Sequence, residues 1–133
     1  MKALAYAITL LLAASPTLAD DLTALSTTAT SITGDISFDD HEIVFENGRK
    51  LVFDELIADN FIVDGKKVPA SVYSVEGREN PKLLNGNRLC GESPVTYLAS
   101  WLDDDVTMVA VFETPDAPTS DETMCALYTY IYP

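Results

Sequence analysis

The chain has 133 residues, eight Lys and Arg against 21 Asp and Glu, a formal charge of −13, and two cysteines. A body this acidic repels nucleic acid and anionic membrane surfaces, so neither is an expected partner. One histidine and two cysteines also fall short of the four ligands of a structural zinc site, and no metal or other cofactor is expected.

Residues 1–19, MKALAYAITLLLAASPTLA, read as a cleaved export signal. Lys2 supplies the positive start, and the apolar stretch from Ala3 to Ala14 is interrupted only by Thr9. Thr17, Leu18 and Ala19 offer the small residues of a peptidase site, which places the cut before Asp20. The apolar run is shorter than the ~20 residues of a membrane span, and Pro16, Asp20 and Asp21 follow at once. No second long apolar run occurs, so a soluble periplasmic or secreted product without membrane insertion is expected. Losing Lys2 takes its charge from −13 to −14.

Residues 20–34, rich in Thr and Ser, read as a loose N-terminal arm or an edge strand, and residues 35–133 as one β domain. The clearest piece is HEIVFENGRKLVFDEL, two β-rich runs around Asn47-Gly48. A two-residue type I′ turn there would set Glu46 opposite Arg49, Val44 opposite Leu51 and His41 opposite Asp54. A second hairpin turns at Asp64-Gly65, with Pro69 marking an edge or a bulge in its return strand. A further Asn-Gly stands at Asn85-Gly86. PVTYLASWL and VTMVAVFE form two strong strands joined at Asp103, Asp104 and Asp105, and MCALYTYIY a last one after a Pro- and Asp-rich loop. In that last strand Tyr128, Tyr130 and Tyr132 alternate onto one face. No window carries a helical period. The expectation is all-β: a single small antiparallel barrel or sandwich of about six to eight strands.

Cys90 and Cys125 lie 35 positions apart, too far for a Cys-x-x-Cys redox pair. In an exported chain with an even cysteine count they read as a disulfide, tying the last strand to the segment before Pro94. Closing a loop of that length stabilises by roughly 4 kcal/mol on the chain-entropy model.

Candidate chemistry is thin. His41 with Asp54 and Ser37 has the residue types of a catalytic triad, but no Gly-x-Ser-x-Gly elbow accompanies them. The runs Asp103, Asp104, Asp105 and Asp35, Asp39, Asp40 lack the spacing of calcium loops. Aromatics are the better signal. Tyr97 and Trp101 share a strand face, and with Tyr128, Tyr130 and Tyr132 they form the candidate ligand-binding set; packing in a small core is the competing explanation. The resulting expectation is a non-enzymatic binding domain of unknown ligand, with no catalytic residue assigned.

A signal followed by an acidic, two-cysteine β domain resembles in general style small bacterial periplasmic proteins, lysozyme inhibitors among them, and that likeness carries no site residue over. It makes inhibition of a cationic extracytoplasmic hydrolase, with acidic loops meeting a cationic protein partner, the second reading. A small hydrolase built on carboxylates such as Glu92, Asp103 and Asp105 is the third.

Overall fold

The computed structural model describes residues 19–133. The expected export signal lies outside them, apart from Ala19. Eight antiparallel strands run in chain order around a closed barrel: β1 (Asp20–Ala24), β2 (Ile36–Phe38), β3 (Glu42–Val44), β4 (Lys50–Val63), β5 (Lys66–Val75), β6 (Tyr97–Asp103), β7 (Val106–Phe112) and β8 (Ala126–Ile131). Of the two all-β architectures expected, the chain takes the barrel. Residues 20–34 hold β1, which pairs with β2 on one side and β8 on the other, and a single π-helical turn (Ala29–Thr33).

Closure explains the alternation along the strands. Leu22, Ile36, Ile43, Leu51, Phe53, Tyr73, Leu98, Val109, Val111, Tyr128 and Tyr130 come from all eight strands and pack together as the barrel interior. Their neighbours face outward, as period-2 geometry requires. Buried apolar area of this kind, at roughly 25 cal/mol per Å², is the main favourable contribution to the fold.

The β3–β4 hairpin departs from the expected register by one residue. Glu42 faces Val52, Ile43 faces Leu51 and Val44 faces Lys50. Gly48 has φ 89°, whereas Asn47 does not enter the positive-φ region, so no type I′ turn forms. Phe45 N–H donates to the Arg49 carbonyl, and Gly48 N–H donates to the Phe45 carbonyl. This is a three-residue connection in which glycine takes the left-handed position of a bulge, the next most common hairpin solution. His41 accordingly sits across from Phe53, whose N–H donates to its carbonyl, and the expected His41–Asp54 pairing is absent. The Asp64-Gly65 turn does take positive φ at both residues (51° and 78°) and joins Val63 to Lys66 across two residues.

β4 and β5 are longer than the barrel needs. Register irregularities after Phe53, Leu56 and Ala58 bend the hairpin, because bulges add local twist and curvature. Pro69 stands beside one of them, beyond the stretch of β5 that pairs with β6. The distal hairpin folds back over the outer face of β6, β7 and β8. There Phe61 is buried against Trp101 (ring centroids 5.5 Å apart) and Phe112 (6.0 Å), with Val72, Ala99 and Ala110 beneath. Ile62 N–H donates to Thr119, fastening the hairpin to the loop before β8.

One barrel end is plugged. Leu83, Leu89 and Val95, from the β5–β6 connection, are buried in the same core as Ala29 of the π-helical turn. Tyr128 donates its hydroxyl to the Leu89 carbonyl at 2.7 Å, and Asn85 Nδ2 donates to Ser31 O at 3.0 Å. The Cys90–Cys125 disulfide, with Cα atoms 5.6 Å apart, ties this connection to the start of β8 as expected. Among the described residues no helix is long and apolar enough to cross a membrane.

Two glycines test the account of the turns. Gly34 (φ 66°, ψ −160°) ends the π-helical turn, and a Cβ there would lie 2.6 Å from Glu46 Cβ. Gly48 needs positive φ but has open space around it. Gly34→Ala should therefore lower unfolding free energy by about 3 kcal/mol, through backbone strain plus a clash. Gly48→Ala should cost only about 1 kcal/mol. Urea melts of the two variants check this, and equal effects would contradict it.

Candidate functional site

The opposite end of the barrel is open. β2 ends and β3 begins there after only three residues each, and the bent β4–β5 hairpin leaves the mouth sideways. The result is a cavity of about 560 Å³, a volume typical of small-molecule sites. Its floor is apolar, with Leu22 and Tyr73 buried and Phe38 half-buried. Its wall carries Ala70, Trp101 and Leu102. Leu102 is 65% exposed, an unusual position for leucine, and Tyr132 is 56% exposed beside it on the rim.

The floor is held rigidly. Tyr73 stacks on Phe53 at 4.3 Å between centroids and 12° between planes, and Phe38 meets both rings edge-on at 6.0 and 6.4 Å. Such aromatic contacts contribute about 0.5–1.5 kcal/mol each beyond the area they bury.

Among the described residues four aspartates line the cavity, Asp20, Asp39, Asp40 and Asp59, and no Lys, Arg or His does. Each has a neutral donor. Asp39 Oδ1 accepts from the N–H groups of His41 (2.7 Å) and Glu42 (2.9 Å), closing the β2–β3 turn. Asp40 Oδ1 accepts the Tyr73 hydroxyl at 2.8 Å, Asp20 Oδ2 the Tyr132 hydroxyl at 3.1 Å, and Asp59 Oδ1 the Asn60 amide at 2.9 Å. Among the described residues the ion pair is Lys50–Glu42 (3.5 Å), on the β3–β4 hairpin and not at the mouth. The negative charge of the rim is thus oriented but not neutralised.

The expected aromatic set divides between places. Tyr132 stands at the mouth, and Trp101 belongs to its wall with its ring packed on the outer face against Phe61. Tyr128 and Tyr130 fill the barrel interior, and Tyr130 shares a hydrogen bond of 2.7 Å with the buried Thr33 hydroxyl. Tyr97 lies on the outer face, at the far end of β6. Phe38, Tyr73 and Leu102, which the sequence reading did not single out, complete the mouth. An aromatic immediately before paired acids, Phe38-Asp39-Asp40, was the available signal.

Other candidate groups lie elsewhere. Asp104 and Asp105 form the two-residue β6–β7 turn, with Asp104 at φ 56°. Cys90, Glu113 and Cys125 come within ligating distance of one another, but both sulfurs are consumed by the disulfide and offer no thiolate.

Burial raises the pKa of each interior tyrosine. Tyr73 is pushed up to about 12, first by burial and then by its bond to Asp40. Burial alone takes Tyr128 to about 12. Tyr130 is raised by burial, partly opposed by the Thr33 hydroxyl.

The chain matches no protein-family model, no curated protein and no solved structure.

A phenol whose pKa is higher folded than unfolded contributes stability that is complete below the unfolded value near 10 and lost as pH rises toward the folded value. Absorbance titration of the native protein should find Tyr73, Tyr128 and Tyr130 protonated at pH 11, with urea stability falling between pH 10 and 12. Their ionisation near pH 10, with stability unchanged, would contradict these burials.

Proposed function

We propose that the chain is an exported, non-enzymatic binding protein that holds a small ligand in the open mouth of its barrel. The observation that carries this reading is the cavity itself: about 560 Å³ with an apolar floor, in a barrel whose other end is filled. Small β-barrels that are not packed to the rim commonly hold one small ligand in this position. Export is supported by the signal-like residues 1–19 and by the disulfide, which persists in oxidising compartments. Binding rather than catalysis is supported by the lining chemistry. Ser71, Ser100 and Thr107 belong to the lining, and among the described residues no His or Lys side chain of the lining stands by to activate their hydroxyls.

Trp101 is the single tryptophan, and it stands in the cavity wall with its ring packed behind it under Phe61, near enough to pass excitation energy to a bound dye. The neutral apolar dye N-phenyl-1-naphthylamine should bind one per chain and take up excitation energy from Trp101. Leu102→Glu should weaken it about tenfold by replacing an apolar contact of the mouth with a charge, without changing the melting temperature, since Leu102 is 65% exposed. Absence of dye binding, or dye binding indifferent to that substitution, would sink the reading.

A further inference from the structure

We infer that the ligand of the mouth is a small organic cation with an apolar body, its charge seated between Asp40 and Asp20 and its body on Phe38, Tyr73 and Leu102. This deepens the proposed binding function and rests on it. Three observations converge on that chemistry.

The first is charge. Among the described residues the lining carries four carboxylates and no cationic side chain; cleavage before Asp20 would add a single α-ammonium there and still leave the mouth net negative, so an anionic ligand meets repulsion on entry and a cation meets attraction. The second is how the two carboxylates are held. Asp40 and Asp20 are each oriented by a tyrosine hydroxyl, which occupies one oxygen; among the described residues no hydrogen bond reaches Asp40 Oδ2 or Asp20 Oδ1. A neutral donor fixes the direction of a carboxylate without cancelling its charge, which leaves a directed acceptor for an N–H group or an electrostatic seat for a quaternary ammonium. The third is the aromatic company. The aromatic residues Phe38, Tyr73 and Tyr132 border the same cavity as those carboxylates, and aromatic faces attract organic cations in addition to burying their apolar parts. A strongly hydrated inorganic cation gains nothing from such a floor, and a neutral ligand gains nothing from such a rim. Asp59, Pro69 and Ala70 of the β4–β5 hairpin form one side of the site, so an apolar body of small-molecule size is bordered by the hairpin as well as by the barrel mouth.

The test is displacement of N-phenyl-1-naphthylamine from the full disulfide-bonded protein by three octyl compounds differing in head group: octyltrimethylammonium, 1-octanol and octanoate. The expected order is the cation first, at least tenfold below the alcohol in half-displacing concentration, with octanoate weakest. Raising salt from 20 to 500 mM as the chosen test range should shrink the cation's advantage. Asp40→Asn keeps an oxygen to accept the Tyr73 hydroxyl, so the barrel should fold, and the preference for cation over alcohol should fall about tenfold. If the dye binds and all three compounds displace it equally at any salt, the mouth is an apolar site and the cation inference is overturned while the binding reading stands. If neither dye nor octyl compound binds, the reading itself fails and takes the inference with it. If a basic protein such as a lysozyme displaces the dye at low salt where octyltrimethylammonium does not, the partner is a protein and the small-cation assignment is wrong.

Discussion

Pairing of the first strand with the last is the constraint on which the rest depends. Only Thr23 with Ile131 and Ala24 with Tyr130 are in register across the β1–β8 seam. The contact is short, yet it removes the last open edge of the sheet and converts one face of every strand into an interior. Its reinforcement comes from outside the ladder. Leu25 N–H donates to Thr129 O at 2.9 Å just beyond the seam, and Ser26 Oγ accepts both Ala29 N–H and Thr129 N–H. The π-helical turn that starts there carries Thr33 to the Tyr130 hydroxyl. Seam and plug are therefore one structure, and a residue that fills the closed end also holds the barrel shut.

Asymmetry between the ends follows from strand length. At the plugged end, Leu83, Leu89 and Val95 of the β5–β6 connection pack into the core with Tyr128, and the disulfide fastens them. At the other end, three-residue β2 and β3 stop short while β4 and β5 run on and bend away. The bend spends apolar surface on a second core outside the barrel, under Phe61, instead of on closing the mouth. A mouth lined by Phe38, Tyr73 and exposed Leu102 is what remains, bordered by aspartates that, among the described residues, no cationic side chain of the lining offsets. Removing carboxylates from water without a partner is costly, which is why they stay at the rim and not the floor.

Much of this was legible from the residues alone, and the parts that were not have physical causes. Turn dipeptides and period-2 runs were enough for the Asp64-Gly65 turn and for the strands β4 to β8, and the even cysteine count for the staple between Cys90 and Cys125, whereas the turn at Asp39 that splits β2 from β3 carried no such signal. The Asn47-Gly48 hairpin shows the limit: the same dipeptide serves a two-residue turn or a three-residue bulged one, and the choice shifts every pair by one position. That single residue separates His41 from Asp54 and dissolves the base–orienter pair the residue types suggested. Alternation placed Tyr128 and Tyr130 on one face correctly, but a single strand does not say which face is interior. The mouth was least legible, because Phe38, Tyr73 and Leu102 come from three strands and meet only once the barrel has closed.

Backbone amide spectra of the isotopically labelled protein, recorded as octyltrimethylammonium is added, test the central claim most directly. The account predicts shifts concentrated at Phe38, Asp40, Tyr73, Trp101 and Leu102 around the mouth, with Thr33, Leu89 and Cys125 at the plugged end unmoved. Shifts centred instead on the exposed Leu56 and Ile57 of the bent hairpin, or spread over the plugged end, would contradict it.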